Sequence, residues 1–481
     1  MNQGDELLPC GWLLAECASS AENRVRQTPA VVPARGDRKA RMRQQRWEKR
    51  SEQLSGALWV LPLLLVVGAL VLGSTLSQIN IQPGSRLDPL LFRGDADEAR
   101  RVLLGVATTV VGVLALVIGL TVVALQVASN RYSPRLLRDF LRDRTAQVVL
   151  GLFVATFTYN AAGLYTVGIP RGAPAGQYGR LAVTVGLCLL FVCIGALVYF
   201  VDRMVHSIQI DEVLAKISAA TARAIAKEPA GIGRTSSGAA ATEPGLDPPP
   251  WAVKLRTQRS GYVQTIYPEL LLPVALAENV TLRLALSVGD HVVGGMPLAW
   301  VWRTSPEQPP PHPEPLQTAL LGAVTIGFER TIRQDVTLGL QQIIDIALLS
   351  MHVFDFYTAV QSTNELARLP SKLGRHPLGT ETIPDLDGTV RVIIPAPSFE
   401  DYLDLAAGQI RRRSAGEPMV SRALVRMLRD VGTVVLTDTR RASVGEQVRL
   451  VLETAERSVK ETDDLALIRT DVEQALRRVE A

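Results

Sequence analysis

Cysteine, histidine and catalytic motifs are scarce in this chain, and their scarcity narrows the chemistry that it can perform. Four cysteines and five histidines are spread over 481 residues. Neither Cys10 with Cys17 nor Cys188 with Cys193 has the spacing of a zinc or redox motif, which indicates thiols in a reducing compartment. The sequence contains no GxxxxGK[ST] phosphate loop, no GxGxxG after a strand, no HExxH and no GxSxG. We therefore predict that the chain is not an enzyme, with no cofactor and no metal ion.

Three evenly spaced aspartates are the remaining case for an active site. Asp335, Asp345 and Asp355 lie ten residues apart. Ten residues of α-helix turn each side chain by about 80° from the previous one, so the three would not converge on a metal ion from one helix. We expect structural roles for these acids. An enzyme that uses Asp335 and Asp355 is the weakest of the functions considered.

Charged side chains are absent from four long stretches in the first two hundred residues. Each stretch exceeds twenty residues and contains no Lys, Arg, Asp or Glu. At 1.5 Å per residue, each exceeds the roughly 30 Å of a hydrocarbon core. We predict an α-helical membrane domain at 54–201 with four transmembrane helices, at 54–76, 102–128, 146–169 and 181–201.

Basic residues are distributed unevenly around these stretches. Residues 24–50 hold ten Lys or Arg, and residues 129–145 hold five arginines. Basic segments are retained on the cytoplasmic side of a membrane, so both termini are predicted to be cytoplasmic, in a bacterial inner membrane. No signal peptide opens the chain. Residues 1–53 are expected to form a basic, flexible cytoplasmic segment, with the true start left open between Met1 and Met42.

The arginine-rich segment "SNRYSPRLLRDFLRDRT" follows the second apolar stretch. Its leucines and phenylalanine fall on one face of a short helix and its arginines on the other, as in helices that lie on anionic lipid. Under one interpretation the arginines only set the topology. Under the other they contact lipid headgroups, with the candidates Arg131, Arg135, Arg138 and Arg142.

Polar side chains inside the apolar stretches need partners, because hydrocarbon offers none. Gln126, Thr158 and Asn160 are the candidates for such intramembrane contacts. Hydrogen bonding between helices is the favoured interpretation, and a pore or substrate path lined by Gln126 and Asn160 is the alternative. Ala115 and Gly119 form a small-xxx-small pair, which is typical of close helix packing.

The second half of the chain is predicted to be cytosolic and of the α+β class. Its predicted parts are a juxtamembrane helix, a linker, a β-rich module and a mainly helical domain, at 202–227, 228–250, 251–303 and 316–481. The phrase "VGDHVVGGMPLAWV" resembles the closing strands of barrel-sandwich domains of the lipoyl and biotinyl kind. No lysine lies in a hairpin where such a cofactor would attach, so a small β module without a carrier role is expected.

Periodicity gives a coarse outline of the C-terminal half. One apolar stripe recurs at helical spacing from Ile332 to Ala347. Strands are predicted at 389–395 and 433–437. Further helices are predicted at 398–413, 418–430, 444–461 and 464–480.

Four phrases together resemble an uncharacterised bacterial family of predicted multi-pass membrane proteins, known only as a domain of unknown function. They are "LQVASNRYSPRLLRDF", "FTYN", "SGYVQTI" with "VGDHVVGGMPLA", and "RTIRQDVTLGLQQIIDIAL". The resemblance extends over about residues 54 to 440. It implies a membrane architecture and no activity.

The family's pattern after the last phrase is Ala-Leu-Ser-Pro, two residues, Asn-Asp-Pro and a Thr-Ala pair. This chain keeps Ser350, Asp355 and Thr358, which with Asp335 are its family-signature residues. Both prolines and the asparagine of the pattern are replaced: Met351 and Phe356 stand where it has proline, and Phe354 stands where it has asparagine.

These observations predict a multi-pass inner-membrane protein that acts as an oligomeric, channel-like or regulatory assembly. Four spans without an ion-coupling charge are few for a single-chain transporter, so membrane lipids and further copies of the chain are the expected partners. The mild net charge of +4 gives no sign of a nucleic-acid partner. The alternative is a membrane-tethered binding or scaffold module in which the cytosolic half carries the function.

Overall fold

Four apolar helices make up the N-terminal part of the computed structural model, which describes residues 60–76, 91–131, 144–167, 179–207, 209–226, 235–236 and 246–480. Leucine, valine and alanine dominate these helices, and many of their large apolar side chains are exposed, as lipid-facing helices require. Their bounds are α1 Val60–Leu76, α2 Ala96–Arg131, α3 Arg144–Val167 and α4 Arg180–Ser207.

Three of these helices are long and apolar enough to cross a membrane, and they are Ala96–Gln126, Thr145–Tyr165 and Arg180–His206. The described part of α1 has 17 residues, or about 25 Å of helix, which is shorter than a hydrocarbon core. Residues 54–59 of the predicted first span lie outside the described residues. The structure therefore shows three span-length helices and one shorter apolar helix, and the count of four spans is not confirmed.

Helix α3 is the centre of the bundle, because it packs against α1, α2 and α4. Two glycines permit its close approach to α1. A Cβ on Gly73 would lie 3.1 Å from the Tyr159 carbonyl oxygen, and a Cβ on Gly151 would lie 3.1 Å from Pro62 Cα. Phe153 and Tyr159 fill the space between the helices and are fully buried.

Two sheets follow the membrane helices. Their strands are β1 Thr235–Ser236, β2 Val253–Arg256, β3 Gly261–Ile266, β4 Thr281–Leu284, β5 His291–Val292, β6 Pro297–Trp302, β7 Val324–Gly327, β8 Glu381–Pro384 and β9 Val390–Ile394. One sheet has the strand order β1-β8-β9-β4-β6-β2, and the other, which is antiparallel, has the order β5-β3-β7. Among the described strands, β4 and β9 are the parallel pair.

The barrel-sandwich resemblance of residues 251–303 is not confirmed. The strands of this stretch divide between the two sheets, and both sheets are completed by later strands. β3 pairs with β7, and β4 pairs with β9. A helix, α6 Pro268–Ala277, also interrupts the stretch, and α7 Pro313–Ala323 follows it. Local alternation predicts strands but contains no information on distant partners, which explains the difference.

Helices form the core of the remaining C-terminal region. They are α8 Val336–His352, α9 Phe356–Leu366, α10 Arg368–Leu373, α11 Phe399–Arg413, α12 Pro418–Gly432, α13 Asp438–Ser458 and α14 Thr462–Glu480. The helices predicted in this region are present with shifted ends, and the strand predicted at 389–395 is β9. The strand predicted at 433–437 is wrong. This segment connects α12 to α13, where Val435 is buried and Thr437 caps α13.

Helix α5, Ile210–Ala226, links the membrane bundle to this core. It begins three residues after the end of α4, and its apolar face is buried against α8, with Leu214, Ile217 and Ile225 in the same cluster as Leu340 and Ile343. Where the two helices meet, a Cβ on Gly339 would overlap Thr221 Oγ1 and lie 2.8 Å from Thr221 Cβ. A glycine at residue 339 is therefore a condition for the close packing of α5 on α8.

We predict that Gly339→Ala lowers the free energy of unfolding by about 1 to 3 kcal/mol, because the added methyl group overpacks the α5–α8 contact. Gly322→Ala is the matched control, since a Cβ on Gly322 in α7 meets nothing within 4 Å. Helix propensity should make this control neutral or slightly stabilising. Denaturant unfolding of the purified protein, followed by circular dichroism, measures both, and equal stability of the two variants would contradict the prediction.

Candidate functional site around helix α8

A buried ion pair fixes the start of α8. Asp335 is 2% exposed, and its carboxylate accepts hydrogen bonds from Arg330 Nε at 2.7 Å and Nη2 at 2.8 Å. The same carboxylate accepts the Leu338 amide N–H at 2.9 Å, which makes Asp335 the N-cap of the helix. The hydrogen bond to Asp335 raises the pKa of Arg330 above its ordinary value. Asp335 is thus a fully engaged structural carboxylate.

The turn between β4 and β5 lies directly against this ion pair. Gly289, in the phrase "VGDHVVGG", has a φ of +97°, and a Cβ there would lie 2.7 Å from Asp335 Oδ2 and 2.9 Å from Arg330 Nη2. Both the backbone conformation and the space require glycine. Gln334 adds a second connection, because its side-chain amide bonds the main chain of Ile266 in β3. The family phrase at 330–348 therefore joins the sheets to the helical core.

The other end of α8 is held by the signature residues that the sequence singled out. The Asp355 N–H donates to the Ser350 carbonyl oxygen at 2.9 Å. The Asp355 carboxylate accepts the Thr358 N–H at 3.1 Å and the Thr358 hydroxyl at 2.7 Å. Asp355 is thereby the N-cap of α9. Ser350, Asp355 and Thr358 thus hold together the turn that connects α8 to α9.

This geometry explains the family's residues at two of the three positions where this chain has Met351, Phe354 and Phe356. Phe354 has a φ of +61°, a left-handed conformation that asparagine tolerates and a bulky side chain does not. Phe356 is the first residue of α9, where proline fits because its missing N–H costs nothing. The family's Asn-Asp-Pro thus matches a left-handed residue, an N-cap and a first helical residue. Nothing in the structure explains Met351, which is buried in the last turn of α8.

An open cavity of about 760 Å³ lies along α8, on a different side from its buried apolar stripe. Four of its lining residues are polar or charged and belong to α8 or α11. One is an arginine that precedes α8, and two are leucines of α8. The lining residues are Gln341, Asp345, His352, Arg413, Arg330, Leu348 and Leu349. In this cavity, Gln341 Nε2 donates to Asp345 Oδ1 at 2.7 Å, and Arg413 Nη2 lies 3.4 Å from His352 Nδ1.

Helical spacing in the sequence indicates most of the residues that line this cavity. The cavity residues of α8 recur at spacings of three, four and seven, which places them on one face of a helix. Arg413 could not be found in this way, because it comes from α11, 61 residues further along the chain than His352. Among the described residues, no three His, Cys, Asp or Glu side chains come together as a possible metal site.

The predicted intramembrane residues occupy different environments. Asn160 is fully buried, and its Nδ2 donates to the Thr156 carbonyl oxygen at 2.7 Å. Thr158 donates to the Val154 carbonyl oxygen at 2.9 Å in its own helix. Gln126 is exposed on the outer surface of α2. The structure does not bring these three residues together.

The candidate lipid contacts cannot be placed in the same way. Arg135, Arg138 and Arg142 lie outside the described residues, and Arg131 is described only as the last backbone residue of α2. The predicted N-terminal segment 1–53 also lies outside the described residues.

The apolar bundle and the mixed region after it define the class: a membrane protein with an α+β region beyond its membrane helices. The chain belongs to the bacterial family described as "Predicted membrane protein (DUF2254)", which it matches over residues 55–430. Uncharacterized proteins of Mycobacterium bovis and of two strains of Mycobacterium tuberculosis are each 38% identical to it over 419 residues. Each alignment covers 87% of this chain and 80% of the relative. No solved structure matches the chain. The family resemblance drawn from the sequence is confirmed.

We predict that Phe354→Asn raises the free energy of unfolding by about 1 kcal/mol, because asparagine relieves the left-handed strain at residue 354. Tyr357→Asn is the control. It replaces another exposed aromatic side chain, but inside α9, where asparagine is a poor helix former. Thermal unfolding measures both variants. Higher stability of Phe354→Asn together with lower stability of Tyr357→Asn would support the strain, and a loss of stability in Phe354→Asn would contradict it.

Proposed function

We propose that this chain is a regulatory protein of the bacterial inner membrane, with both termini in the cytoplasm, that works as an assembly of several copies. A change of conformation in its cytosolic region would pass through α5 to the membrane bundle. A change in the bundle would pass back along the same route. The proposal assigns no catalytic role to the chain and no nucleic-acid partner. Within the membrane, the chain would contact lipid and further copies of itself.

The observation that carries the regulatory role is the position of α5. This helix follows the last membrane helix after a two-residue connection and is also a buried part of the cytosolic core. An ion pair between Arg203 in α4 and Glu212 in α5, with a 3.0 Å N–O distance, spans the connection. Hydrogen bonds from Lys216 and Arg203 lower the pKa of Glu212. A displacement of α4 is therefore expected to reach α8 through packed side chains rather than through a flexible linker.

Assembly is supported by the outer face of α2. Small or polar residues recur there with a heptad spacing, and all are exposed in the single copy: Gly105, Thr108, Gly112, Ala115, Gly119 and Gln126. A Cβ on any of the three glycines meets nothing within 4 Å. Small residues let membrane helices approach closely, and a glutamine facing outward needs a hydrogen-bonding partner. A second copy of α2 provides both.

The regulatory form is favoured over the channel-like form by the polar residues of the bundle. Asn160 and Thr158 hydrogen-bond to the main chain of their own helix, and Cys193 lies 3.2 Å from the Thr156 hydroxyl between α3 and α4. These hydrogen bonds are made within one copy, although Asn160 Oδ1 is buried without a partner. A conducting path would have to lie between copies, along the α2 face.

Coupling through α5 is tested by bilayer thickness. A few ångströms of hydrophobic mismatch are worth on the order of 1 kcal/mol, so amide exchange in residues 336–352 should change by about fivefold between nanodiscs of short-chain and long-chain lipid. Inserting Gly-Gly-Ser between Ser207 and Ile210 should abolish this response. The same insertion in the exposed loop at 305–310 should preserve it. An unchanged response in the first insertion variant would refute the coupling.

Assembly is tested by filling the α2 face. We predict that Gly112→Leu weakens self-association about tenfold or more, because the larger side chain holds the helices apart. Gly195→Leu is the matched control, since Gly195 is also a membrane-helix glycine with nothing within 4 Å of an added Cβ. Native mass spectrometry from micelles over a range of concentrations measures the oligomer. Monomers in the wild type, or equal loss of oligomer in both variants, would exclude α2 as the interface.

A further inference from the structure

We propose that the cavity along α8 binds a phosphate ester whose alcohol part carries an N–H or O–H donor, as phosphoethanolamine does. The site deepens the proposed regulatory role, but its occupancy can be measured whatever the oligomeric state. The same chemistry occurs in soluble phosphate esters and in phospholipid headgroups.

The cationic end of the cavity provides the phosphate contacts. Arg413 is the last residue of α11 and His352 is the last residue of α8. The 3.4 Å contact of Arg413 is with His352 Nδ1 and not with a carboxylate, so the guanidinium charge is not neutralised by this neighbour. A guanidinium that is always charged presents several N–H donors in a planar fork that matches phosphate oxygens. Arg330 also lines the cavity, but its Nε and Nη2 are engaged by Asp335.

The opposite end of the cavity accepts hydrogen bonds. Asp345 receives a hydrogen bond from Gln341 through Oδ1, and Gln341 is held in turn by reciprocal bonds with Gln409 at 3.0 and 3.3 Å. This network fixes the carboxylate in the wall of the cavity. A carboxylate disfavours a simple anion but favours an ammonium or hydroxyl group on the same ligand. The two ends therefore select a ligand with both a negative and a donor group.

The apolar parts of the site agree with a headgroup as well as with a soluble ester. Leu348 and Leu349 line the cavity between its polar ends. Immediately after His352 come exposed apolar side chains, of which Phe354 is 81% and Tyr357 76% exposed. Exposed aromatic side chains beside a cationic site are typical of surfaces that meet the lipid interface. Phe354 holds this exposed ring at a left-handed, strained backbone position.

Calorimetric titration of the full-length protein in phospholipid-free micelles tests the chemistry with two soluble probes. Phosphoethanolamine has N–H donors for Asp345, whereas phosphocholine has none. We expect wild type to prefer phosphoethanolamine, Arg413→Ala to weaken the binding of both probes by about tenfold or more, and Asp345→Asn to remove the preference. Arg412→Ala removes an adjacent exposed charge outside the cavity and should leave binding unchanged.

The source of the phosphate is tested by native mass spectrometry after addition of phosphatidylethanolamine or phosphatidylcholine. A lipid site predicts retention of phosphatidylethanolamine by wild type and Arg412→Ala and its loss from Arg413→Ala. Tyr357→Asn should weaken lipid retention and leave phosphoethanolamine binding intact. Binding of the soluble probe without selective lipid retention would assign the cavity to a free phosphate ester.

Two results would overturn the proposal. One is the absence of saturable binding of both the soluble probe and the lipid. The other is an equal effect of Arg412→Ala and Arg413→Ala, which would show that only net charge matters. Thermal unfolding of each variant establishes that a loss of binding does not come from a loss of folding.

Discussion

A buried carboxylate in a protein interior must be satisfied by hydrogen bonds, and in this chain that requirement organises the region beyond the membrane. Asp335 meets it with two guanidinium N–H groups of Arg330 and one main-chain N–H of α8. Removing one partner of such a pair typically costs about 3 to 5 kcal/mol, because the other charge stays buried. The ion pair therefore fixes where α8 begins. The turn at Gly289 can pack against it only because no side chain intervenes.

In the membrane bundle the corresponding constraint is the absence of charge. Hydrocarbon does not hydrate main-chain groups, so helices satisfy them internally, and the few polar side chains bond to nearby carbonyl oxygens. The Tyr159 hydroxyl donates to the Ala182 carbonyl oxygen at 2.9 Å, from α3 to α4. Such contacts satisfy part of the polarity of the bundle interior, whereas Asn160 Oδ1 and Gln147 Nε2 are buried without a hydrogen-bond partner. On the outward face of α2 the glycines are open and Gln126 is exposed, which is why this face, rather than the interior, supports the proposed assembly.

Sequence patterns predicted the elements whose cause is local. Charge-free stretches gave the apolar helices, and apolar periodicity gave the stripe of α8, where Leu340, Ile343 and Ala347 are buried. The motif predicts Asp355 as a signature residue, whereas its role as the N-cap of α9 is visible only in the structure. Pairing between distant strands, such as β4 with β9, has no local signature, and the barrel-sandwich resemblance was not confirmed. The run 433–437 is β-prone in composition, but helices on either side leave it no strand to pair with.

The candidate site was only partly predictable for the same reason. The polar residues of α8 lie on one face by spacing, but Arg413 reaches them from α11 through tertiary packing. The signature motif pointed to Asp335 and Asp355, and the structure places them as the N-caps of α8 and α9. Conformational requirements were visible at Phe354 only as a departure from the family pattern. The left-handed backbone that makes the departure costly is a property of the fold.

The geometry of α8 connects the two proposed properties of the protein. At 100° per residue, the cavity face around Asp345 and His352 and the α5 contact at Gly339 lie roughly 135° apart around the helix axis. A ligand in the cavity and a movement of α5 therefore act on different sides of the same helix and do not compete for space. Asp335 caps the start of α8, and the Asp355 N–H donates to the Ser350 carbonyl oxygen near its end, so we expect α8 to move as a rigid rod. A ligand that binds one position of α8 more tightly than another must shift α5 as well, and the shift is limited by that difference in affinity.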